Sequence, residues 1–319
     1  MHTVRTASGS FFKKNMTNKE SRTISEQINL LKTRGMLIEN EQEAALYLNH
    51  ISYYRLKGYW WDMQTDYTNH IFAPNSNFED VIERYNFDRQ LRLILFDAIE
   101  FIEIALRTKL IYHLSQTHGG LWYLNETLFE NIDLHSKHIE ELKSEFERSG
   151  EIFAKDFRQK HPSGSENPDV WIFFEVATFG TLSKIYKNLK HQLPQKSIIA
   201  NEFGLNLHSE LSSWLETISY LRNIVAHHSR VWSRNMVKRI TLPKKTRHLW
   251  LKPATVSIQE KIQKPKPFLA ISTMIYLCNA VNPNNKIKNK LLSLFRDNPN
   301  IPIYKIGFFN NWQQEPLWT

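Results

Sequence analysis

The 319-residue chain holds one cysteine, Cys278. A lone thiol builds neither a disulfide framework nor a cysteine-based zinc cluster, so a reducing cytoplasm is the expected compartment. Glycine and proline are scarce, at 10 and 12. Turn-rich all-β folds depend on those residues, and their scarcity favours long helices. No run of about 18 apolar residues occurs, which argues against a membrane-spanning helix. The first twenty residues are polar and basic and carry no apolar stretch of the signal-peptide kind. Also missing are a phosphate-binding loop ending in Gly-Lys-Ser/Thr and the Gly-x-Gly-x-x-Gly, Gly-x-Ser-x-Gly and His-Glu-x-x-His patterns. His227 and His228 are adjacent, and neighbours on a helix point about 100° apart, so they make poor joint metal ligands. The sequence therefore assigns no metal and no cofactor.

What is present is positive charge, unevenly placed. The formal net charge is +9. Residues 229–266 carry eleven Lys and Arg against one acid, Glu260, for a local charge of +10, so the remainder is close to neutral. The basic side chains singled out there are Arg230, Arg234, Lys238, Arg239, Lys244, Lys245, Arg247 and Lys252. A concentrated basic segment is the footprint of a polyanion binder. A solvated loop that keeps the chain in solution is the plainer reading. Trp232 and Trp250 lie among the cations, and rings in that setting suit stacking on unpaired bases. A membrane surface is disfavoured, because Pro243, Pro253, Pro265 and Pro267 interrupt any long amphipathic helix.

The pattern along the chain predicts an all-α fold. It divides into a flexible basic tail over 1–20, one helical domain over 21–300 that includes the basic segment, and a short, extended aromatic tail over 301–319. Thr23 with Glu26 reads as a capping box opening a helix that Gly35 closes, and Asn40 with Glu43 opens another. Tyr53, Tyr54, Tyr59, Trp60 and Trp61 form an aromatic knot suited to core packing. Leu91, Leu95, Ala98, Ile102 and Leu106 repeat at spacings of three and four within a helix over about 77–117. Residues 155–168 read as a loop, and 169–189 as two short helices pivoting at Gly180. A helix from Ser209 to about Val231 has the apolar stripe Leu211, Leu215, Ile218, Leu221 and Val225.

That last helix carries the candidate chemistry, Arg222-Asn223-Ile224-Val225-Ala226-His227. At about 100° per residue, Asn223, His227, Arg230 and Arg234 fall within an arc of about 60°, opposite the apolar stripe. Arg222 sits at the flank, and its long side chain can reach round. An imidazole can take the proton of a ribose 2′-hydroxyl or protonate a leaving oxygen. A guanidinium offers a planar fork to phosphate. Asn223, four residues before His227, is spaced to orient it. The same residues also suit an ordinary helix surface. Arg107 and His113 make a similar Arg-x5-His pair, but Glu100 and Glu103 share a face with Arg107 and favour a structural or supporting role for all three.

Six stretches in order carry a family resemblance: Tyr53 to Tyr59, Tyr85 to Arg92, Ile102 to Thr108, Phe179 to Ser183, Arg222-Asn223 with Ala226-His227, and Gly307-Phe308 with Asn311-Trp312. On these the chain resembles bacterial abortive-infection proteins of the AbiD/AbiF type, in the HEPN superfamily. The resemblance implies a helical bundle with additional helices. It implies that Arg222 and His227 are the HEPN Arg-x4-6-His pair, with Asn223 as the polar residue after the arginine. It further implies a metal-independent endoribonuclease acting as a toxin in phage defence, similar to the nuclease domains of type VI CRISPR effectors. Some such proteins are paired with a small non-coding RNA. One Arg-x4-His per chain implies a site completed by a homodimer. Two other readings stay open: a non-catalytic RNA-binding protein that works through its basic segment, and a helical interaction protein that senses a phage product.

Overall fold

The computed structural model describes residues 20–164, 166–243 and 245–319. Apart from Glu20, the expected basic tail lies outside the described residues, as does Lys244. The chain forms two compact units, one ending at Glu83 and one spanning Arg84–Thr319.

In the first unit the capping signals act as the sequence implies. Thr23 Oγ1 accepts from the Glu26 N–H at 3.3 Å while a Glu26 carboxylate oxygen accepts from the Thr23 N–H at 2.7 Å, opening α1 (Ile24–Thr33). Gly35 closes it in the left-handed region at φ +92°. Asn40 accepts from the Glu43 N–H at 3.0 Å and starts α2 (Glu41–Ile51). Next come α3 (Tyr53–Trp60) and a small antiparallel hairpin of β1 (Gln64–Asp66) and β2 (Ile71–Phe72), with Gln64 opposite Phe72. The aromatic knot is only partly core. Tyr59 and Trp60 are buried, but Tyr54 is 82% exposed and Trp61 45%. One helix face cannot turn so many neighbouring rings inward.

The unit boundary falls inside α4 (Phe78–His118). After it come α5 (Ile132–Glu147), α6 (Ile152–Lys160), α7 (Val170–Phe173), α8 (Phe179–Asn188), α9 (Pro194–Glu202), α10 (His208–Ala226), α11 (Pro253–Lys261), α12 (Phe268–Val281) and α13 (Ile287–Asp297). The all-α expectation holds. Every residue of α12 from Phe268 to Cys278 is buried, as befits a helix apolar on all sides at the centre of a bundle. The stripe on α4, from Leu91 to Leu106, and that on α10, from Leu211 to Val225, are buried as their spacing implies.

Several boundaries differ from the sequence reading. The stretch read as a loop from 155 begins within α6, which runs on to Lys160. The pivot between α7 and α8 is not Gly180, which lies inside α8. It is Ala177-Thr178, where Thr178 Oγ1 accepts from the Thr181 N–H at 3.3 Å and caps α8. The C-terminal stretch is not extended. It winds through short 3-10 turns at 303–306 and 312–314, which bury Phe308, Trp312 and Trp318. Phe308 lies 5.0 Å from Phe268 and 4.9 Å from Phe295 between ring centres. Gly307 permits this at φ +97°, where a Cβ would come within 2.6 Å of Lys266 Cβ.

One buried charge organises the second unit. Asp88 is inaccessible to solvent and ion-paired with Arg92, one turn later on α4. Its carboxylate also accepts from the backbone N–H groups of Val231, at 3.2 Å, and Trp232, at 2.8 Å. Removing one partner of a buried pair leaves the other charge uncompensated. Asp88→Ala is therefore expected to lower the unfolding free energy by about 3–5 kcal/mol, measured by urea denaturation. A loss below about 1 kcal/mol would contradict the role given to this carboxylate.

Candidate functional site

α10 presents its apolar stripe inward, which leaves Asn223 and His227 exposed and Arg222 half-buried. The helix stops at Ala226, five residues earlier than its pattern suggests. The stop is built by the backbone. The His228 N–H donates to Val225 O at 2.9 Å, the Ser229 N–H donates to Ile224 O at 2.8 Å, and His228 takes the left-handed conformation at φ +53°. This is the Schellman arrangement, with histidine where glycine is usual. His227 is the C-cap, and its N–H still donates to Asn223 O at 3.1 Å, so the two remain one turn apart. Among the described residues no hydrogen bond links the side chains of Arg222, Asn223 and His227.

The early stop changes the fate of two predicted residues. Arg230 and Arg234 are not on α10, so helical angles do not place them on the His227 face. They belong to a turn in which the Arg234 Nε–H donates to Arg230 O at 2.7 Å, and both are half-buried. Glu103, by contrast, lies near enough to Arg222 to feel its charge. Burial pushes the Glu103 carboxyl above the usual carboxylate range, Arg107 and Arg222 pull it down, and Glu100 adds to the rise. The last turns of α10 thus lie beside the charged face of α4. Arg107 itself is committed to structure. Its Nε–H donates to Phe174 O at 2.9 Å, and its Nη2 donates to Ala177 O at 3.0 Å and to the Glu103 carboxylate at 3.2 Å. His113, the other half of that similar pair, turns instead to Glu202 at 2.9 Å.

The basic segment is a stitched ribbon. Lys238 pairs with Glu216, and Arg247 donates to Asn201 Oδ1 at 2.9 Å and to Asn206 Oδ1 at 3.3 Å. Thr246 forms a β-bridge with Leu205. Lys238, Arg239, Lys245, Arg247 and Lys252 are all exposed. The two tryptophans do not face solvent. Trp232 is buried against Phe87 at 6.1 Å, and Trp250 against Trp214 at 5.0 Å. Neither is available to stack on a base, because the hydrophobic gain of burying an indole outweighs its cationic neighbourhood in sequence.

A sequence model of the Abi-like protein family matches residues 46–233. No curated protein and no solved structure matches the chain. The matched span takes in α4, α10 and the Asp88 contacts to Val231 and Trp232, and it ends before most of the basic ribbon.

The exposure pattern separates display from structure. His227→Ala, at an exposed position, should change the unfolding free energy by no more than about 0.5 kcal/mol, and Arg222→Ala, at a half-buried one beside Glu103, by about 1 kcal/mol. Arg107→Ala takes its charged donor from the Ala177 carbonyl, leaves the Phe174 carbonyl only the Ala177 N–H, and should cost about 2–3 kcal/mol. Chemical denaturation of the three variants checks the ranking, and equal losses would contradict it.

Proposed function

The chain belongs to the Abi-like family of abortive-infection proteins, a form of phage defence, and from that premise we propose that it is an RNA-cutting toxin of the HEPN type. The observation that supports this reading most is the end of α10, where half-buried Arg222 and exposed Asn223 and His227 follow one another within about one and a half turns on a helix whose back is locked in the core. The reaction is a transesterification. The His227 imidazole takes the proton of a ribose 2′-hydroxyl, the 2′-oxygen bonds to the adjacent phosphorus, and the bond to the 5′-oxygen breaks. Arg222 neutralises charge developing on the non-bridging oxygens, while Asn223 orients the imidazole or the ribose. The departing 5′-oxygen needs a proton donor. One chain supplies one imidazole at this face, so His227 of a second copy fills that role in a two-fold dimer. The basic ribbon guides RNA by charge alone. A small non-coding RNA bound there would hold the toxin in check.

Exposed cations also suit a protein that only holds RNA, and the two readings part at the bond. Expression of the wild-type chain should arrest growth, while Arg222→Ala and His227→Ala should not. Purified protein should cleave RNA in EDTA and leave a 2′,3′-cyclic phosphate, with rates about 10²–10⁴-fold lower in either variant. The rate per chain should fall on dilution as dimers separate. Unchanged cleavage in both variants would remove these residues from the site, and RNA binding without cleavage would favour the holding protein.

A further inference from the structure

One side of α4 is left in water although much of it is apolar. Phe96, Glu100, Ile104, Thr108 and Tyr112 are all exposed, and each stands four residues after the last. Residues at that spacing form a single ridge along a helix, here about 24 Å long. Its three large apolar members, Phe96, Ile104 and Tyr112, are 46%, 50% and 59% exposed. The groove on one side of the ridge is bordered by half-buried Phe101 and Ala105. The charges at the ends of that border are already neutralised, Asp97 by Lys290 and Lys109 by Glu202. Glu100 is the only charge on the ridge itself. Large apolar side chains left singly in water need no explanation, but three in line on one ridge mark a surface that another molecule covers.

The order of the ridge selects the partner. Read from either end it runs ring, polar, aliphatic, polar, ring. Two copies laid antiparallel about a two-fold axis at Ile104 set Ile104 beside the partner's Ile104, Phe96 beside the partner's Tyr112, and Glu100 beside the partner's Thr108. That is the self-complementary contact of a two-fold dimer, in the packing where i±4 ridges of both helices lie side by side at a crossing angle near −50°. Ring pairs close both ends. Each Glu100 carboxylate meets a hydroxyl that can donate to it. The two Glu100 stand about 12 Å apart along the helices, beyond the screening length of about 8 Å. An unrelated partner requires no such order, whereas an antiparallel copy does. The ridge covers roughly 240 Å², against the about 800 Å² that a stable interface takes from each partner. The pair is therefore weak and depends on concentration.

We infer that the ridge from Phe96 to Tyr112 is where a second copy of this chain docks, antiparallel and centred on Ile104. The docking itself stands without the nuclease reading; its consequence for the site rests on that reading. A two-fold axis that relates antiparallel helices runs across them, so a given flank of α4 falls on the same side of the pair in both copies. Glu103 is one residue from the axis, on the flank of the ridge, and lies near enough to Arg222 to feel its charge. Both Arg222 side chains then come to one side of the dimer, near its axis. The pairing that covers the apolar ridge thus brings the two α10 ends toward each other and completes the site.

The first test needs no nuclease activity. Sedimentation velocity of the full chain, from sub-micromolar to high micromolar concentration, should show a monomer passing to a dimer. Ile104→Glu, a surface change that sets like charges side by side at the axis, should raise the dissociation constant at least tenfold with the circular dichroism unchanged. Register is read by cysteine capture, since the native Cys278 is buried. A short bis-maleimide should link Ile104→Cys to itself. In an equal mixture it should link Phe96→Cys to Tyr112→Cys, and neither to itself. A chain that stays monomeric at high micromolar concentration, a dimer undisturbed by Ile104→Glu, or Phe96→Cys linked to itself would overturn the assignment. Full-rate cleavage by a monomeric Ile104→Glu would overturn the claim that pairing completes the site. A dimer of the expected register that never cuts RNA would uphold the interface and remove only the nuclease reading.

Discussion

The carboxylate of Asp88 fixes the frame on which the candidate site rests. A buried charge persists only where partners replace the water it has lost. Arg92 supplies one, and the N–H groups of Val231 and Trp232 supply two more. Those two donors lie a few residues past the cap of α10, so the chain leaving His227 is tied down to α4. A second tie acts through Arg107, which holds the carbonyls of Phe174 and Ala177 just before Thr178 caps α8. With α8 packed on α10, the one long helix grips both flanks of the turn that carries Arg222, Asn223 and His227. A frame so fixed limits where the side chains of Arg222, Asn223 and His227 can reach, although none of the three is held by a hydrogen bond to another.

What could be read beforehand was local and periodic. The Thr23–Glu26 box and the apolar stripes of α4 and α10 depend on neighbours within four residues, and each appears where the spacing implies. What could not be read depended on distant partners or on one unusual dihedral. The end of α10 carries no glycine, so nothing in the pattern signals the left-handed turn at His228, and Arg230 and Arg234 were extrapolated onto a helix that had already ended. Trp232 and Trp250 sit among cations in sequence but among rings in space.

The buried tryptophans alter what the basic segment can do. Instead of a loose arm with rings for bases, it is a ribbon pinned from within. Met236 N–H donates to Pro265 O at 2.7 Å, Lys266 Nζ donates to Ser233 O at 3.1 Å, and the indoles serve as anchors. A pinned ribbon loses little conformational entropy when a polyanion arrives, unlike a segment that must fold on binding. Its contacts would run from cations to phosphates, which position a strand without reading its bases. In the proposed reading, any choice among RNAs would then come from the cutting face and the strand's own shape.

That division of labour bears on how two copies could share a site. Each ribbon follows α10 closely in the chain and carries a formal charge of +10. Bringing two α10 ends together brings the ribbons nearer as well. At physiological salt the screening length is about 8 Å, so charges on facing turns would still repel. A bound RNA strand supplies the opposite charge at the place where it is needed, and it is the substrate itself. The free energy that joins the copies and the free energy that holds the strand are then linked, and by reciprocity each strengthens the other. A nuclease arranged in this way would be weakest when its target is scarce, because the same cations that recruit RNA keep the two halves of the site apart.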